Sequence, residues 1–538
     1  MNFIKNRLVI ITAVLIITAA SCSGNKVKTV DIKKSTASEL EADFKKPPFE
    51  AKPWVFWYWM QASVSREGIT ADLEAMKDLG IGGAYLMPIK GVKNPPYVEP
   101  YYEQLTPEWW DMIRHSMSEA DRLGLKIAMH GCDGFALAGG PWITPEMSMQ
   151  KVVWTKTYVN GKQNFSDTLP QPEFYEGYYR DIAVFAYPTP DGKIQSSYIA
   201  KPKVTTSNNV DSSFLLVVPN NKKVFRSNEP GWIQYEFDEP FTCRSVIVRI
   251  KGDNYQSKRL RIESSNDGKN FKLVQQMQPP RHGWQDTDAD VTHSIPSTTA
   301  RYFRFTYDNA GSEPGAEDLN SAKWRQTLRL LNIELTSEPL INQHEGKTAK
   351  VWRLSKRTTK NQVPNELCIP MDKMINITSN LDKKGKLSWN VPDGNWTILR
   401  MGHTSTGHMN ETAGKGKGLE CDKFNPKAVQ LQFDNWFGEA QKQVGEKYAK
   451  EILKVFHIDS WECGSQNWSD NLMKEFKKRR GYDLKPYLPL MAGIPINNVA
   501  ESEQVLHDLR QTITELVTDI FYATLRDAAH KTGCEFSA

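Results

Sequence analysis

The amino-acid sequence predicts an α/β fold: a (β/α)8 TIM-type barrel, incomplete in this chain, that is interrupted by an inserted all-β jelly-roll or sandwich domain. Two observations support this prediction. Near both ends of the chain, apolar runs of strand length alternate with amphipathic segments of helical period. Between about 151 and 395, short strand patterns follow one another and are separated by turn residues.

The first alternating region spans 47–150. Apolar residues recur at helical spacing in its two helical segments, and a glycine follows each segment. Short connections between such elements indicate a parallel sheet, either a (β/α)8 barrel or an open doubly wound sheet. The predicted strands and helices, in chain order, are Val55–Met60, Glu67–Leu79, Ala84–Ile89, Thr106–Leu123 and Lys126–His130.

The second alternating region, 396–538, continues the predicted barrel. Its predicted elements are a helix at Asn425–Val444, a strand at Val455–Ile458, a helix at Glu503–His530 and a strand at Cys534–Phe536. A barrel needs eight strands, and the sequence offers five or six candidates. If the chain is the whole gene product, we expect an unclosed barrel, whose exposed sheet edge lowers solubility and whose activity is weak or absent.

The middle region, 151–395, has the alternation of antiparallel strands. Within it, Trp232–Phe237, Ser264–Phe271 and Arg301–Phe305 resemble a galactose-binding-like, discoidin-type jelly roll over about 220–337. Asn266–Lys269 is a strong turn between two of these strands. Such a module either binds glycan through its loops or supports the fold.

Composition limits the function classes. The chain has 538 residues, enough for two or three domains, and a formal net charge of only +5 without a basic stripe, so nucleic acid is not an expected partner. It carries 16 Trp, 19 Tyr and 22 Phe, which serve either as core or as flat platforms for sugar rings.

The N-terminus has the pattern of a lipoprotein signal peptide over 1–22. Lys5 and Arg7 precede the apolar run Leu8–Ala20, and Cys22 follows small residues as in a bacterial lipobox. The alternative is ordinary cleavage near Ala20. Residues 23–46 are polar and predict a flexible tether. We expect an exported protein, anchored by lipid on Cys22 to a bacterial membrane in the periplasm or at the cell surface.

The strongest catalytic candidate is Glu462. It follows the strand at Val455–Ile458, and barrel active sites lie at the carboxyl ends of the strands. Glycoside hydrolysis needs a protonated carboxylic acid for the leaving oxygen, and burial beside Trp461 would favour the protonated form of Glu462. The alternative is a structural ion pair. Asp459 is a candidate for orienting Glu462, for binding a sugar hydroxyl or for direct catalysis.

Other polar residues lie at predicted strand ends or in nearby loops and are candidates for substrate binding: His130, Asp133, His403, Glu420 and Asp422. Asp133, Glu420 and Asp422 also have the oxygen ligands that calcium prefers. No EF-hand spacing is present, so a calcium site would be assembled from separate loops.

Several motifs together resemble glycoside hydrolase family 106, the α-L-rhamnosidases. These motifs are Arg66–Met76 followed by Gly80–Gly83, then Val391–Arg400, Gly418–Lys423 and Asp459–Glu462. The resemblance covers nearly all of 48–538 and corresponds to the N-terminal portion of longer family members.

The resemblance implies a (β/α)8 barrel interrupted by β-domains. It also implies that terminal α-linked L-rhamnose is released from plant or complex polysaccharides, with inversion and assisted by calcium. The family's catalytic acid maps onto Glu462, and its catalytic base is expected beyond Ala538. Two alternatives stay open: a glycosidase of another sugar specificity, and a lipid-anchored glycan-binding protein that lacks turnover because of truncation.

Overall fold

The computed structural model describes residues 36–135, 137–208, 213–216, 223–252, 259–278, 289–308, 327–352, 362–410 and 414–538. The chain divides into two compact units, Met1–Pro53 and Trp54–Ala538. The predicted signal peptide and Cys22 lie outside the described residues. None of the helices in the described ranges is long and apolar enough to cross a membrane.

In the first unit, part of the predicted flexible tether is helical. Helix α1 spans Ala37–Lys45 and begins with a capping box, in which the Thr36 amide donates to Glu39 at 2.7 Å and the Glu39 amide donates to Thr36 at 3.3 Å. The polar composition of 23–46 suits a solvated helix as well as a tether, which is why the sequence did not distinguish them.

The described part of the second unit contains twenty strands and nine helices. The strands are β1 Trp54–Met60, β2 Gly83–Ile89, β3 Lys126–His130, β4 Gly139–Gly140, β5 Gln150–Asn160, β6 Gln163–Thr168, β7 Arg180–Pro188, β8 Lys203–Thr206, β9 Phe225–Ser227, β10 Gly231–Ile250, β11 Arg261–Ser265, β12 Lys272–Gln276, β13 Val291–Tyr307, β14 Leu328–Thr336, β15 Ile375–Asn376, β16 Lys386–Val391, β17 Asn395–Ser405, β18 Leu419–Glu420, β19 Leu453–His457 and β20 Glu535–Ser537. The helices are α2 Arg66–Asp78, α3 Pro107–Leu123, α4 Ser197–Ala200, α5 His344–Lys347, α6 Pro426–Phe433, α7 Glu439–Glu451, α8 Leu472–Arg480, α9 Val499–Leu516 and α10 Ala523–Lys531.

A five-stranded parallel sheet positions the candidate site. Its strand order is β1-β2-β3-β19-β20, and every neighbouring pair is parallel. The predicted parallel pairing is thus confirmed, and the chain has a mixed α/β fold. The sheet is open, with β1 and β20 at its two edges in the described structure.

Helix α3 beside this sheet begins and ends where the sequence predicts. The Thr106 hydroxyl accepts a hydrogen bond from the Trp109 amide at 3.2 Å, and Gly124 ends α3 in the left-handed conformation. Trp109, Ile113 and Met117 of α3 are buried in the core between the helices and the parallel sheet. Burial of this apolar face fixes the helix against the sheet.

The middle region is antiparallel. Strands β8 to β14 form a seven-stranded sheet with its own core, a second sheet has the order β15-β7-β17-β5, and β6 pairs with β16. The predicted turn lies between β11 and β12, where the Asp267 carboxylate accepts from the Lys269 and Asn270 amides at 2.8 Å each.

The predicted boundary at 395 is wrong, because β17 belongs to the middle region. This strand pairs antiparallel with β5 on one side and with β7 on the other. An apolar run predicts a buried strand but carries no information about which sheet receives it. The antiparallel region therefore extends through Ser405.

Two predicted long helices are interrupted. A π-helical turn at Val517–Tyr522 joins α9 to α10 in place of the continuous helix Glu503–His530, and another at Asp434–Gly438 joins α6 to α7. Apolar spacing continues through both turns, so it did not reveal the change of period.

Gly83 is a sensitive position in the parallel sheet. A β-carbon added there would lie 2.6 Å from the Lys126 carbonyl oxygen and 2.7 Å from the Trp54 ring. We expect Gly83→Ala to lower the free energy of unfolding by about 1–3 kcal/mol through overpacking. Urea unfolding followed by tryptophan fluorescence measures this change.

Gly438→Ala is the matched control, because the nearest atom to the added β-carbon would be the Phe433 oxygen at 3.5 Å. It should leave stability unchanged or increase it, since alanine favours helix over glycine. Equal effects of the two substitutions would contradict the close packing at Gly83.

Candidate active site

The candidate active site lies at the carboxyl edge of the parallel sheet. His130 ends β3 and His457 ends β19, and these two residues are register partners. Asp459 and Glu462 follow His457 in the loop after β19. The structure therefore brings His130 close to the loop of Asp459 and Glu462, although more than half of the chain lies between them.

The sheet face that carries these histidines is concave. The Tyr85 ring, on β2, lies 4.6 Å from the His457 ring, and the Phe56 ring, on β1, lies 6.0 Å from it. Strands β1 and β19 are separated by two intervening strands, each interval spanning ~4.8 Å in a sheet. Rings on strands so far apart come together because the sheet curls toward this face.

Strand β1 is aromatic on both faces, with different environments. Trp57 and Trp59 are 6% and 3% exposed beneath the helices, whereas Phe56 and Tyr58 are 51% and 45% exposed on the concave face. Exposed aromatic rings beside polar groups are suitable platforms for sugar faces. The sequence did not single them out, because a wholly apolar strand has no polar alternation to mark its open face.

His130 is completely buried and neutral. Its Nδ1 lies 3.0 Å from the Cys132 carbonyl oxygen, an acceptor, so Nδ1 carries the proton. Burial lowers the pKa of His130 to about 4. Its Nε2 has no hydrogen-bond partner among the described residues and is a free acceptor.

His457 is a site residue that the sequence analysis missed. Its Nδ1 lies 3.2 Å from the Ser537 hydroxyl, its Nε2 has no partner in the described structure, and burial lowers its pKa. One signal was available: His457 lies near the carboxyl end of the predicted strand, where barrel active sites are found.

The loop after β19 holds the two acidic candidates at partly buried positions. The Asp459 carboxylate accepts from the Ser460 amide at 2.8 Å, and the Ser460 hydroxyl donates to Glu462 at 3.3 Å. Both carboxylates retain oxygen lone pairs for a substrate. This arrangement is compatible with proton donation by Glu462 and hydroxyl binding by Asp459.

Trp461 anchors this loop. Its indole Nε1 donates to the Gly464 carbonyl at 2.7 Å, and its ring stacks on Trp352 with centroids 5.2 Å apart. Phe521 contacts the same indole edge-on at 6.2 Å. Because the ring is held by these contacts, Trp461 fixes the course of the loop on which Glu462 lies.

Glu420 is placed differently from its prediction as a substrate ligand. Its carboxylate is completely buried, accepts from the Ala138 amide at 3.0 Å and forms an ion pair with the buried Lys423 ammonium. Both oxygens are thus used by protein groups. Glu420 holds the glycine-rich loop after β3 against the segment after β18.

Asp422 is also used internally. One oxygen accepts from the Ser469 hydroxyl at 2.6 Å, and the other accepts from the Phe424 amide at 2.9 Å and from the Gln466 side chain. Burial raises its pKa to about 6. Asp133 is buried as well, and its Oδ1 accepts from Gln104 at 3.5 Å.

The structure corrects the expected placement of His403. It lies within β17 in the antiparallel sheet, not at an end of the parallel sheet, and its Nδ1 bonds to Gln150. Its ring contacts Tyr178 and Trp468 with centroids 5.7 and 5.6 Å away. These contacts and the burial that lowers its pKa to about 4 indicate a structural histidine.

Comparison with known proteins identifies the family. The glycoside hydrolase family 106 profile, described as alpha-L-rhamnosidase, matches residues 45–537. The chain belongs to this family. A solved rhamnosidase from Novosphingobium sp. PP1Y is similar in structure, with a TM-score of 0.76 and 26% identity over 92% of this chain and 46% of that chain.

A second relative of this glycoside hydrolase has a different name. A protein of Formosa agariphila, named putative beta-glucuronidase, is 28% identical over 502 residues, which cover 93% of this chain and 30% of the relative. The chain thus spans less than half the length of either relative.

The predicted calcium ligands of this family 106 protein do not fit a calcium site. The Glu420 oxygens face an ammonium and an amide, and the Asp422 oxygens face three hydrogen-bond donors. Within the described ranges, no group of three His, Cys, Asp or Glu side chains converges as metal ligands would. Asp133, Glu420 and Asp422 therefore do not form a shared cation site.

The buried ion pair predicts a large effect of substitution. Lys423→Met would leave the Glu420 carboxylate buried and uncompensated, and we expect a loss of about 3–5 kcal/mol in the free energy of unfolding. The double substitution Glu420→Gln with Lys423→Met should recover most of it. Urea unfolding measures both.

Lys450→Met is the control, because the Lys450 and Glu446 pair is solvent-exposed. Exposed pairs contribute about 0–1 kcal/mol. If Lys423→Met were as mild as this control, the buried pair would not stabilise the loop.

Neutral His130 predicts a pH dependence of stability. Its folded pKa of about 4 lies below the ~6.5 of an exposed histidine, so the unfolded chain binds more protons between these values. The contribution of neutral His130 to the free energy of unfolding is present above about pH 6.5 and is lost as the pH falls toward 4. We expect His130→Gln to reduce the slope of unfolding free energy against pH in that window.

Urea unfolding at a series of pH values gives the slope. The exposed His507, substituted to Gln, serves as the matched control and should leave the slope unchanged. An unchanged slope in the His130 variant would show that its imidazole titrates alike in the folded and unfolded chains.

Proposed function

We propose that the protein hydrolyses terminal α-linked L-rhamnose from plant or complex polysaccharides, with Glu462 as the general acid. The observation that carries this proposal is the position of Glu462: family membership supplies the reaction class, and the acid lies in the loop after β19, beside the concave aromatic face. Carbohydrate enzymes need an acid within reach of a sugar held on such a face.

In the proposed reaction, Glu462 donates its proton to the glycosidic oxygen as the bond to the anomeric carbon breaks. His130 and His457, register partners at the ends of β3 and β19, hold the loop that carries both carboxylates at this edge of the sheet. Asp459 binds a sugar hydroxyl or orients Glu462. Inversion is part of the proposal: a water attacks the anomeric carbon from the opposite face and gives its proton to a second carboxylate, roughly 6.5–9.5 Å from Glu462.

We propose further that the parallel sheet belongs to a (β/α)8 barrel and that the seven-stranded antiparallel sheet is a jelly-roll support. Five adjacent parallel strands, their common concave face and the structural similarity to a rhamnosidase support the barrel. The turn between β11 and β12 and the separate core of the antiparallel sheet support the second domain.

Another sugar specificity is the second candidate. The Formosa relative is named a putative beta-glucuronidase, so a glycosidase that removes glucuronic acid has specific support. Fold and acid position alone do not fix which sugar is removed. Nitrophenyl α-L-rhamnoside and β-glucuronoside, supplied in parallel, distinguish the two functions.

Export and a lipid anchor on Cys22 also remain part of the proposal. The basic residues, the apolar run and the small residues before Cys22 support it. A membrane-attached enzyme of this kind would act on glycans outside the cytoplasm.

Glu462→Gln tests the catalytic assignment. We expect hydrolysis of nitrophenyl α-L-rhamnoside to fall at least about a hundredfold, because glutamine cannot donate the proton, while rhamnoside binding persists. Glu446→Gln, an exposed and distant carboxylate, should retain full activity. Undiminished hydrolysis by the Glu462 variant would exclude it as the acid, and selective turnover of the glucuronoside would exclude rhamnose as the released sugar.

A further inference from the structure

A basic pocket lies at the same edge of the parallel sheet. It has a volume of about 570 Å³ and is formed by the end of β1, the segment after β2 and the segment after β17. Three lysines line it: Lys90, Lys93 and Lys417. No acidic side chain is among the described residues that line it.

These lysines lack anionic partners in the described structure. None of the three forms an ion pair there. The Lys93 ammonium donates to the Tyr97 hydroxyl and lies 4.1 Å from the centre of that ring. Three carboxylates lie near the pocket without belonging to its lining: Asp133 is buried beside Gly416, Glu103 lies beside Gly414, and Glu176 lies beside the lining residue Gly407. Cations gathered around one cavity repel each other, so an anion there is stabilised.

Two lining residues of the pocket also carry buried polar atoms without hydrogen-bond partners among the described residues. These atoms are Gln61 Oε1 and His408 Nε2. Buried polar atoms are normally paired, so these two side chains gain a partner when they turn toward a polar group of a ligand. A lining with three lysines that form no ion pair in the described structure matches a sugar that carries a negative charge.

The backbone of the pocket is strained at two lining residues. Gln61 and Lys90 have φ angles of +55° and +62°, a left-handed backbone conformation that residues other than glycine seldom adopt. The Gln61 amide donates to the Ile89 carbonyl at 2.8 Å, which ties the ends of β1 and β2 together. Strain of this kind concentrates at ligand sites.

The pocket borders the loop of the proposed general acid. The Gly464 backbone lies beside His408: a β-carbon added at Gly464 would be 3.9 Å from the imidazole Nδ1. Gly464 is two residues after Glu462 and accepts the hydrogen bond that fixes Trp461. A glycan that reaches Glu462 can therefore extend into the pocket.

We propose that this pocket binds an anionic group of the substrate, either the carboxylate of a uronic acid or a sulfate ester. The inference rests on the proposed release of L-rhamnose. Because rhamnose is a neutral 6-deoxy sugar, the anionic group belongs to the sugar to which rhamnose is linked. The substrate class is thus an acidic, rhamnose-capped glycan.

Binding measurements by calorimetry test this proposal with three disaccharides, in which α-L-rhamnose is linked to glucuronate, to glucose or to sulfated glucose. We expect the glucuronate or the sulfated disaccharide to bind at least about tenfold more tightly than the glucose disaccharide, with an advantage that shrinks at high salt. Which of the two binds better identifies the anionic group. Equal binding of all three would overturn the inference while leaving rhamnose release intact.

A triple variant, Lys90→Gln with Lys93→Gln and Lys417→Gln, locates the effect. It should remove the advantage of the acidic disaccharides and leave binding of the glucose disaccharide unchanged. The matched control replaces three exposed lysines outside the pocket, Lys384, Lys386 and Lys427, with Gln. If the control variant lost the same binding advantage, the overall charge of the protein would explain the effect, and the inference would be overturned.

Methyl β-glucuronoside separates the two proposals. If it binds through the three lysines but no rhamnoside is bound or hydrolysed, the rhamnosidase function fails and the anionic site stands alone. If rhamnosides are hydrolysed, but neither the glucuronoside nor an acidic disaccharide binds more tightly to the unmodified protein than to the triple lysine variant, the anionic site fails. Thermal unfolding of each variant verifies that it remains folded.

Discussion

The pairing of β3 with β19 is the constraint on which the rest of the structure depends. These strands are neighbours in the parallel sheet, although the whole antiparallel region lies between them in the sequence. The chain must therefore leave the parallel sheet at the end of β3 and, after the antiparallel region, return to it at the neighbouring position of β19. This pairing places His130 beside His457 and sets the loop of Asp459 and Glu462 at the edge where β1 and β2 also end.

A buried polar network holds the loops around this edge. The ion pair of Lys423 with Glu420 joins the segment after β18 to the loop after β3, and Asp422 joins the same segment to Ser469 and Gln466. In a low-dielectric interior, such groups persist only when every partner is present. These carboxylates therefore fix the scaffold, whereas Asp459 and Glu462, which are partly exposed, are free to meet a substrate.

The concave aromatic face and the basic pocket divide the proposed recognition into two parts. Exposed rings of Phe56 and Tyr58 offer flat apolar surface, and the lysines beyond the ends of β1 and β2 offer charge. Flat contact suits any sugar ring, whereas a localised positive pocket selects among glycans by charge. Both features lie within reach of one loop, because all the strands of a parallel sheet end at the same edge.

The sequence by itself determined the parallel α/β elements, the helix caps of α3, the antiparallel character of the middle region and the position of Glu462 after β19. These are local properties. Each depends on the spacing of apolar residues, on capping residues or on turn residues within a short segment of the sequence. Only the tertiary structure decided that β17 joins the antiparallel sheet and that Glu420 and Asp422 are buried. It also placed His457 beside His130, and Gln61 with the three lysines around one pocket. Strand pairing and buried ion pairs depend on residues far apart in the chain. A local sequence pattern does not indicate which distant group a side chain contacts.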